Sequence, residues 1–209
     1  MTDGFGRYDV YSFTDSLYCY RGTNVLRNRF GLRDGEALRA LEADLSLLRQ
    51  NSLLQHPIQG RFTANHLCRI HRYLLGDLYP FAGHFRREDI WKGSTRFLTH
   101  REIPGKLKTL LNQLRQEGYL HNLSRKDFLA RSAYYFAELN YIHPFREGNG
   151  RATREFMRLL FLENGYLVQW SAVPTEEFLS AMAASVFDSA VLHPILDACL
   201  VPLPAQTES

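Results

Sequence analysis

From Gly35 onward, Leu38, Leu41, Leu45, Leu48 and Leu53 recur at spacings of three, four and five, while Arg39, Glu42 and Arg49 take the other face. That pattern predicts an amphipathic helix ending before Pro57. A second helix is expected from Thr63, a capping residue, through Leu67, Ile70, Leu74 and Leu75 to the breakers Gly76, Pro80 and Gly83. Ile103 to Glu117 resumes a helical period with Leu107, Leu110, Leu111 and Leu114, and Gly118 stops it. Ser124 with Asp127 three residues later approximates a capping box ahead of Phe128, Leu129, Ala133, Phe136 and Ala137. Pro144 dictates the end of that helix, because proline disfavours helical geometry at the preceding residue, His143.

Arg151 to Asn164 is predicted helical, with Phe156, Leu159, Leu160 and Leu162 inward and Gly165 at its end. Thr175 is expected to cap a short helix carrying Phe178, Leu179, Met182 and Val186, and a last helix spans Ala190 to Leu200. Only Phe85 to Thr99 reads as sheet: aromatic, β-branched and basic residues surround Lys92, Gly93 and Ser94, as in a hairpin flap. The expectation is an all-α bundle with one short β-hairpin. Residues 1–33 form an irregular arm rich in Tyr, Arg and Gly, residues 34–200 form the domain, and residues 201–209 form a flexible tail.

Composition narrows the function classes. The chain has 209 residues, 45% hydrophobic and 22% charged, which suits one globular domain with a core of its own. A formal net charge of +3, with acids and bases interspersed, is too diffuse to demand a nucleic acid and permits an anionic ligand. Cys19, Cys68 and Cys199 lie far apart and are odd in number, so they read as reduced structural thiols. Neither an apolar leader nor a run of about 18 apolar residues occurs, so the expectation is a cytoplasmic protein that does not span a membrane. His66, His71 and His84 lack a second cluster at ligand spacing and read as structural. Tyr8, Tyr11, Tyr18 and Tyr20 read as aromatics packing the arm against the core.

The chemistry concentrates between two predicted helices, in His143-Pro144-Phe145-Arg146-Glu147-Gly148-Asn149-Gly150-Arg151, with Arg154 one turn on. Gly148 and Gly150 lack a Cβ and can take left-handed conformations that turn successive N–H groups toward one point, an anion-binding nest. The nest precedes a helix N-terminus, where unpaired donors and the helix dipole favour a phosphate. Arg151 and Arg154 share the first turn and offer forked donors to a polyphosphate. Gathered phosphates carry excess negative charge, which Mg2+ neutralises if Glu147 supplies one ligand and water and phosphate oxygens complete the octahedron. A hydroxyl attacking phosphorus must lose its proton, and the imidazole of His143 is the group that accepts protons at neutral pH.

This stretch resembles the Fic family, whose motif reads His-x-Phe-x-(Asp or Glu)-Gly-Asn-Gly-Arg-x-x-Arg and is met at every defined position from His143 to Arg154. The resemblance extends to Leu78-Tyr79-Pro80-Phe81-Ala82-Gly83 and to Lys92-Gly93-Ser94-Thr95-Arg96-Phe97, and covers roughly residues 20 to 200. It implies the Fic-fold helical bundle and transfer of AMP from Mg-bound ATP to a Tyr, Thr or Ser hydroxyl of a target protein. It implies His143 as base, Glu147 as magnesium ligand, Gly148, Asn149, Gly150 and Arg154 as phosphate contacts with Arg151 beside them, and Phe145 as an inward anchor. It also implies that Lys92, Gly93, Ser94 and Thr95 form a flap that pairs with an extended segment of the target.

Many Fic proteins carry an inhibitory helix with Ser or Thr, three residues, then Glu. No Ser or Thr here is followed at that position by Glu; at Ser46 the position holds neutral Gln50. The resemblance therefore implies inhibition in trans, by a small antitoxin supplying a glutamate near Arg154, and type II topoisomerases as one class of target. Two alternatives stand beside this reading. One is another chemistry on the same scaffold: transfer of UMP, phosphocholine or phosphate, or removal of AMP. The other is a non-catalytic module that binds nucleotide and recruits a partner.

Overall fold

The computed structural model describes residues 16–92 and 95–204. Tyr8, Tyr11, Gly93 and Ser94 therefore lie outside the described residues. Seven α-helices occur among those described: α1 (Gly35–Gln55), α2 (Ala64–Leu75), α3 (Ile103–Gln116), α4 (Arg125–Ile142), α5 (Asn149–Glu163), α6 (Thr175–Ala184) and α7 (His193–Cys199). Two antiparallel ribbons complete the fold: β1 (Trp91–Lys92) with β2 (Thr95–Arg96), and β3 (Tyr166–Val168) with β4 (Leu200–Pro202).

Side-chain caps start three of these helices where the sequence predicts. The Asp34 carboxylate accepts from Glu36 N–H at 2.8 Å, the Thr63 hydroxyl from His66 N–H at 3.3 Å, and the Ser124 hydroxyl from Asp127 N–H at 3.2 Å. Each satisfies a donor that the first helical turn cannot. α4 and α5 lie side by side, joined by residues 143–148, with α2 packed on α5 and α1 on α2. Phe156 of α5 is fully buried and meets Phe62 edge-on at 5.4 Å, a contact whose truncation costs about 3–5 kcal/mol.

The described part of the arm, residues 16–33, is irregular and packed down. Tyr18 sits edge-on to Phe81 at 5.1 Å, and Arg29 N–H donates to the Leu78 carbonyl at 2.8 Å.

Several expectations are corrected. β4 pairs with β3 in the register Tyr166↔Pro202, Leu167↔Val201 and Val168↔Leu200, and Leu203 N–H reaches the Gly165 carbonyl at 2.8 Å. Residues 201–203 thus form a paired edge rather than a frayed tail. Three-residue strands are too short to display a period, so the pattern along the chain carries no sign of this second ribbon.

The helix expected from Arg151 begins two residues earlier, at Asn149, because Gly148 takes φ 76° and acts as its cap. Gly150 is consequently helical, and only Gly148 of the two motif glycines is left-handed. Pro174 occupies the cap position expected for Thr175, which is the first helical residue of α6. The helix expected over Ala190 to Leu200 is split into a 3-10 turn, Ser189–Leu192, and α7 with Pro194 in its first turn. Glu42, expected on the polar face of α1, is 1% exposed.

Candidate active site

α4 ends at His143, whose N–H still bonds to the Leu139 carbonyl at 3.1 Å while its backbone turns left-handed, φ 45° and ψ 61°. Pro144 forbids the helical alternative there. The imidazole Nδ1 lies 3.1 Å from the Asn140 carbonyl. A carbonyl only accepts, so Nδ1 carries the proton of the neutral ring and the lone pair resides on Nε2. The ring stacks on Phe97, just after the flap, at 3.8 Å and 14°.

A buried guanidinium ties that histidine to the base of the flap. Arg86 Nε donates to the His143 carbonyl at 2.8 Å, and its terminal nitrogens reach the carbonyls of Glu88 at 2.8 Å, Ile142 at 3.4 Å and Leu98. Arg86 N–H also donates to the Pro144 carbonyl at 2.9 Å. The last carbonyls of α4 are thereby capped by a cation, the sign the helix dipole favours.

The connection between α4 and α5 closes on itself. Phe145 N–H donates to Asn149 Oδ1 and Asn149 Nδ2 donates back to the Phe145 carbonyl, both at 2.8 Å. The Asn149 side chain thus closes the loop with one of its two amide hydrogens. Phe145 is fully buried and stacks on His71 at 3.7 Å. His71 Nδ1 accepts from Gly83 N–H at 2.8 Å, so Nε2 bears the proton and donates to the Glu147 carbonyl at 2.8 Å. Burial pushes the His71 imidazole down to about 3, which keeps it neutral and fixes that tautomer. Arg146 pairs with Glu88 at 2.8 Å, and Glu88 also accepts from Ser16 Oγ and Leu17 N–H.

Glu147 Oε1 accepts from Gly148 N–H at 2.8 Å. The first intrahelical bond of α5 runs from Ala152 N–H to the Gly148 carbonyl at 3.1 Å, so the N–H groups of Asn149, Gly150 and Arg151 precede the ladder at the positive end of the helix. Arg154 is 8% exposed, with its guanidinium carbon 6.0 Å from the centre of the Phe178 ring. A Cβ on Gly150 would lie 3.3 Å from an Arg154 terminal nitrogen, so the missing side chain leaves that guanidinium its room.

Arg151 is braced from α1. It donates to Ser46 Oγ at 2.7 Å and pairs with Glu42, which also accepts from the Tyr79 hydroxyl. Glu147 lies 3.5 Å from the same guanidinium. Arg151 thus spans α1 and the loop, with carboxylates on two sides.

These groups share an open cavity of about 520 Å³. Its polar lining comes from His143, Glu147, Gly148, Asn149, Gly150, Arg151 and Arg154, and its apolar lining from Phe136, Phe178, Leu179, Met182 and Val186. Lys92, Thr95 and Phe97 approach from the flap side. The predicted base, metal ligand and phosphate groups, together with the described flap residues, are therefore brought around one space. Glu42, Ser46, His71 and Arg86 are supporting residues that carry no motif spacing, and only folding brings them to the loop; Tyr79, in the Leu78–Gly83 stretch, joins them through Glu42.

Glu147 offers carboxylate oxygen to the cavity, the donor type that a hard cation takes. Magnesium held by one carboxylate, water and substrate phosphates fits that arrangement.

The family model for the Fic/DOC family matches residues 61–161. A probable protein adenylyltransferase Fic of Salmonella typhimurium is 37% identical over 164 residues, 78% of this chain and 81% of that protein. The protein adenylyltransferase VbhT of Bartonella schoenbuchensis is 35% identical over 182 residues, 87% of this chain; the matched region spans only 38% of that longer protein. Among solved structures, the BepC protein of Bartonella tribocorum with bound AMPPNP superposes with a TM-score of 0.83 at 26% identity, covering 90% of this chain and 97% of that one.

Proposed function

The chain belongs to the Fic/DOC family, and from that premise we propose that it is a protein adenylyltransferase acting through the cavity around His143. ATP lies with its base against the apolar lining of Phe136, Phe178 and Met182 and its phosphates over the start of α5. Arg154 and the first-turn N–H groups grip the phosphates; the cavity's volume of about 520 Å³ supports a nucleotide there, as does the AMPPNP complex of the structural relative.

The acceptor is a Tyr, Thr or Ser hydroxyl on a target segment that the flap carrying Lys92 and Thr95 aligns over the cavity. Nε2 of His143 takes the hydroxyl proton as the oxygen forms its bond to the α-phosphorus. The bond from that phosphorus to the bridging oxygen breaks, and pyrophosphate leaves with the electron pair. Magnesium, when held by Glu147 and the phosphates, neutralises charge on the leaving group. Phe97 against the imidazole face and Arg86 on the His143 carbonyl limit the ring's freedom, so the base is oriented before substrate arrives.

The observation that carries this reading is the His143 hydrogen bond: Nδ1 is committed to the Asn140 carbonyl, so the basic nitrogen belongs to the ring edge opposite, and His143 shares its cavity with the start of α5. Regulation in trans accompanies it. The absence of the Ser/Thr-xxx-Glu pattern supports a small antitoxin whose glutamate engages Arg154, and type II topoisomerases are the first acceptors to test. Among the described residues no helix is long and apolar enough to cross a membrane.

The test is incubation of the chain and of His143→Ala with α-labelled ATP, magnesium and a cell lysate. The chain transfers label to protein as an AMP adduct identified by mass. His143→Ala loses roughly a hundredfold or more of that transfer while keeping its melting temperature. Undiminished transfer by His143→Ala would remove His143 as base, and a UMP adduct would change the donor.

A further inference from the structure

Asn140 stands one turn before His143 on α4 and lines the same cavity. Its side-chain amide is oriented unambiguously: Nδ2 donates to the Met182 carbonyl of α6 at 2.7 Å and lies 3.4 Å from Ser185 Oγ. Ser185 Oγ itself donates to the same carbonyl at 2.8 Å. A carbonyl demands a donor, so nitrogen faces α6 and the amide cannot be flipped. Both amide hydrogens are thereby used, and Oδ1 accepts from no described residue. A half-buried acceptor in the wall of a ligand cavity calls for a donor on the ligand.

Its position says which donor. Along α4, His143, Asn140 and Phe136 all face the cavity. At about 1.5 Å rise per residue, Asn140 lies ~4.5 Å and Phe136 ~10.5 Å back from the base along the helix axis. A nucleotide has the same order of parts: the α-phosphorus, then the sugar, then the base. With the phosphorus at His143 and the base on the apolar wall of Phe136, Phe178 and Met182, the group level with Asn140 is the sugar, whose hydroxyls are donors.

We propose that Asn140 Oδ1 accepts a hydrogen bond from a ribose hydroxyl of the bound nucleotide and so selects ribonucleotides over deoxyribonucleotides. The inference rests on the nucleotide-transfer reading for the identity of the ligand, not for the chemistry of transfer. Asn140 serves the base as well, because its backbone carbonyl fixes His143 Nδ1. One residue therefore registers the sugar against the group that acts at the phosphorus.

The test is equilibrium binding of ATP, 2′-deoxy-ATP, 3′-deoxy-ATP and ITP to the His143→Ala chain, which removes turnover, alone and combined with Asn140→Ala or Ser185→Ala. Expected is about fivefold weaker binding of at least one deoxynucleotide than of ATP, the worth of one neutral hydrogen bond. Asn140→Ala brings that ratio to near one, and Ser185→Ala, which loosens the same contact with α6 but spares Oδ1, leaves it at its original value. The ratio compares ligands within one variant, so a general loss of affinity from disturbed packing does not move it. Equal binding of ATP and both deoxynucleotides, or a ratio unchanged by Asn140→Ala, overturns the proposal. So does a collapse confined to the ATP/ITP ratio, which assigns Oδ1 to the exocyclic amine of the base. Absence of any ATP binding instead sinks the nucleotide reading itself, and the inference falls with it.

Discussion

His71 donates from Nε2 to the Glu147 carbonyl at 2.8 Å, so a fully buried, neutral imidazole on α2 holds the main chain that turns into the start of α5. The same ring supports Phe145 by stacking and accepts from Gly83 N–H. It satisfies three parts of the fold at once, and only the neutral form can accept at Nδ1 while donating at Nε2.

That requirement gives the stability a pH dependence. In the unfolded chain His71 titrates at its ordinary value of about 6.5, whereas in the folded chain it is lowered to about 3. The unfolded state binds the extra proton first. The stabilisation from a neutral His71 is therefore complete above about 6.5 and declines by about 1.4 kcal/mol per pH unit as pH falls toward 3. Chemical denaturation at stepped pH should show this slope, and His71→Gln should flatten it while lowering stability at pH 7.5.

Glu42 and Arg151 form a nearly buried pair between α1 and the loop. Glu42→Gln removes one charge and leaves the guanidinium less compensated. A loss of about 3–5 kcal/mol is expected, read as a fall in melting temperature of roughly 10 °C. An unchanged melting temperature would mean that Glu147 and Ser46 alone suffice to hold Arg151.

Arg86 reaches carbonyls of His143 and Leu98 with one rigid fork, which a lysine ammonium cannot reproduce. Arg86→Lys is expected to lower kcat for AMP transfer about tenfold or more while ATP affinity changes little, because the phosphate contacts proposed above lie on α5. Parallel losses in kcat and ATP affinity would assign Arg86 to general stability.

Gly148 has φ 76°, and a Cβ there would fall 2.1 Å from Leu75 Cδ1. Gly148→Ala combines a left-handed penalty of about 1–2 kcal/mol with a collision against α2. It should weaken ATP binding by displacing the α5 start, as measured by titration calorimetry, whereas Gly150→Ala, in helical conformation, meets only the Arg154 guanidinium at 3.3 Å and should be milder.

The sequence alone settled what depends on neighbours along the chain. Thr63 and Ser124 cap because a hydroxyl reaches an N–H two or three residues on, and Pro144 ends α4 by clashing with the residue before it. His143, Glu147 and Arg154 fall beside one cavity because the loop and first helical turn that carry them are continuous in the chain. Tertiary structure alone decided the rest. Glu42 reads as a surface charge by its helical period, and its burial follows from Arg151, more than a hundred residues away. The pairing of β3 with β4, the neutral His71 beneath Glu147 and the Arg86 fork on His143 likewise join distant segments. Such contacts leave no period or spacing behind them, because their free energy comes from desolvated partners that meet only after the chain has packed.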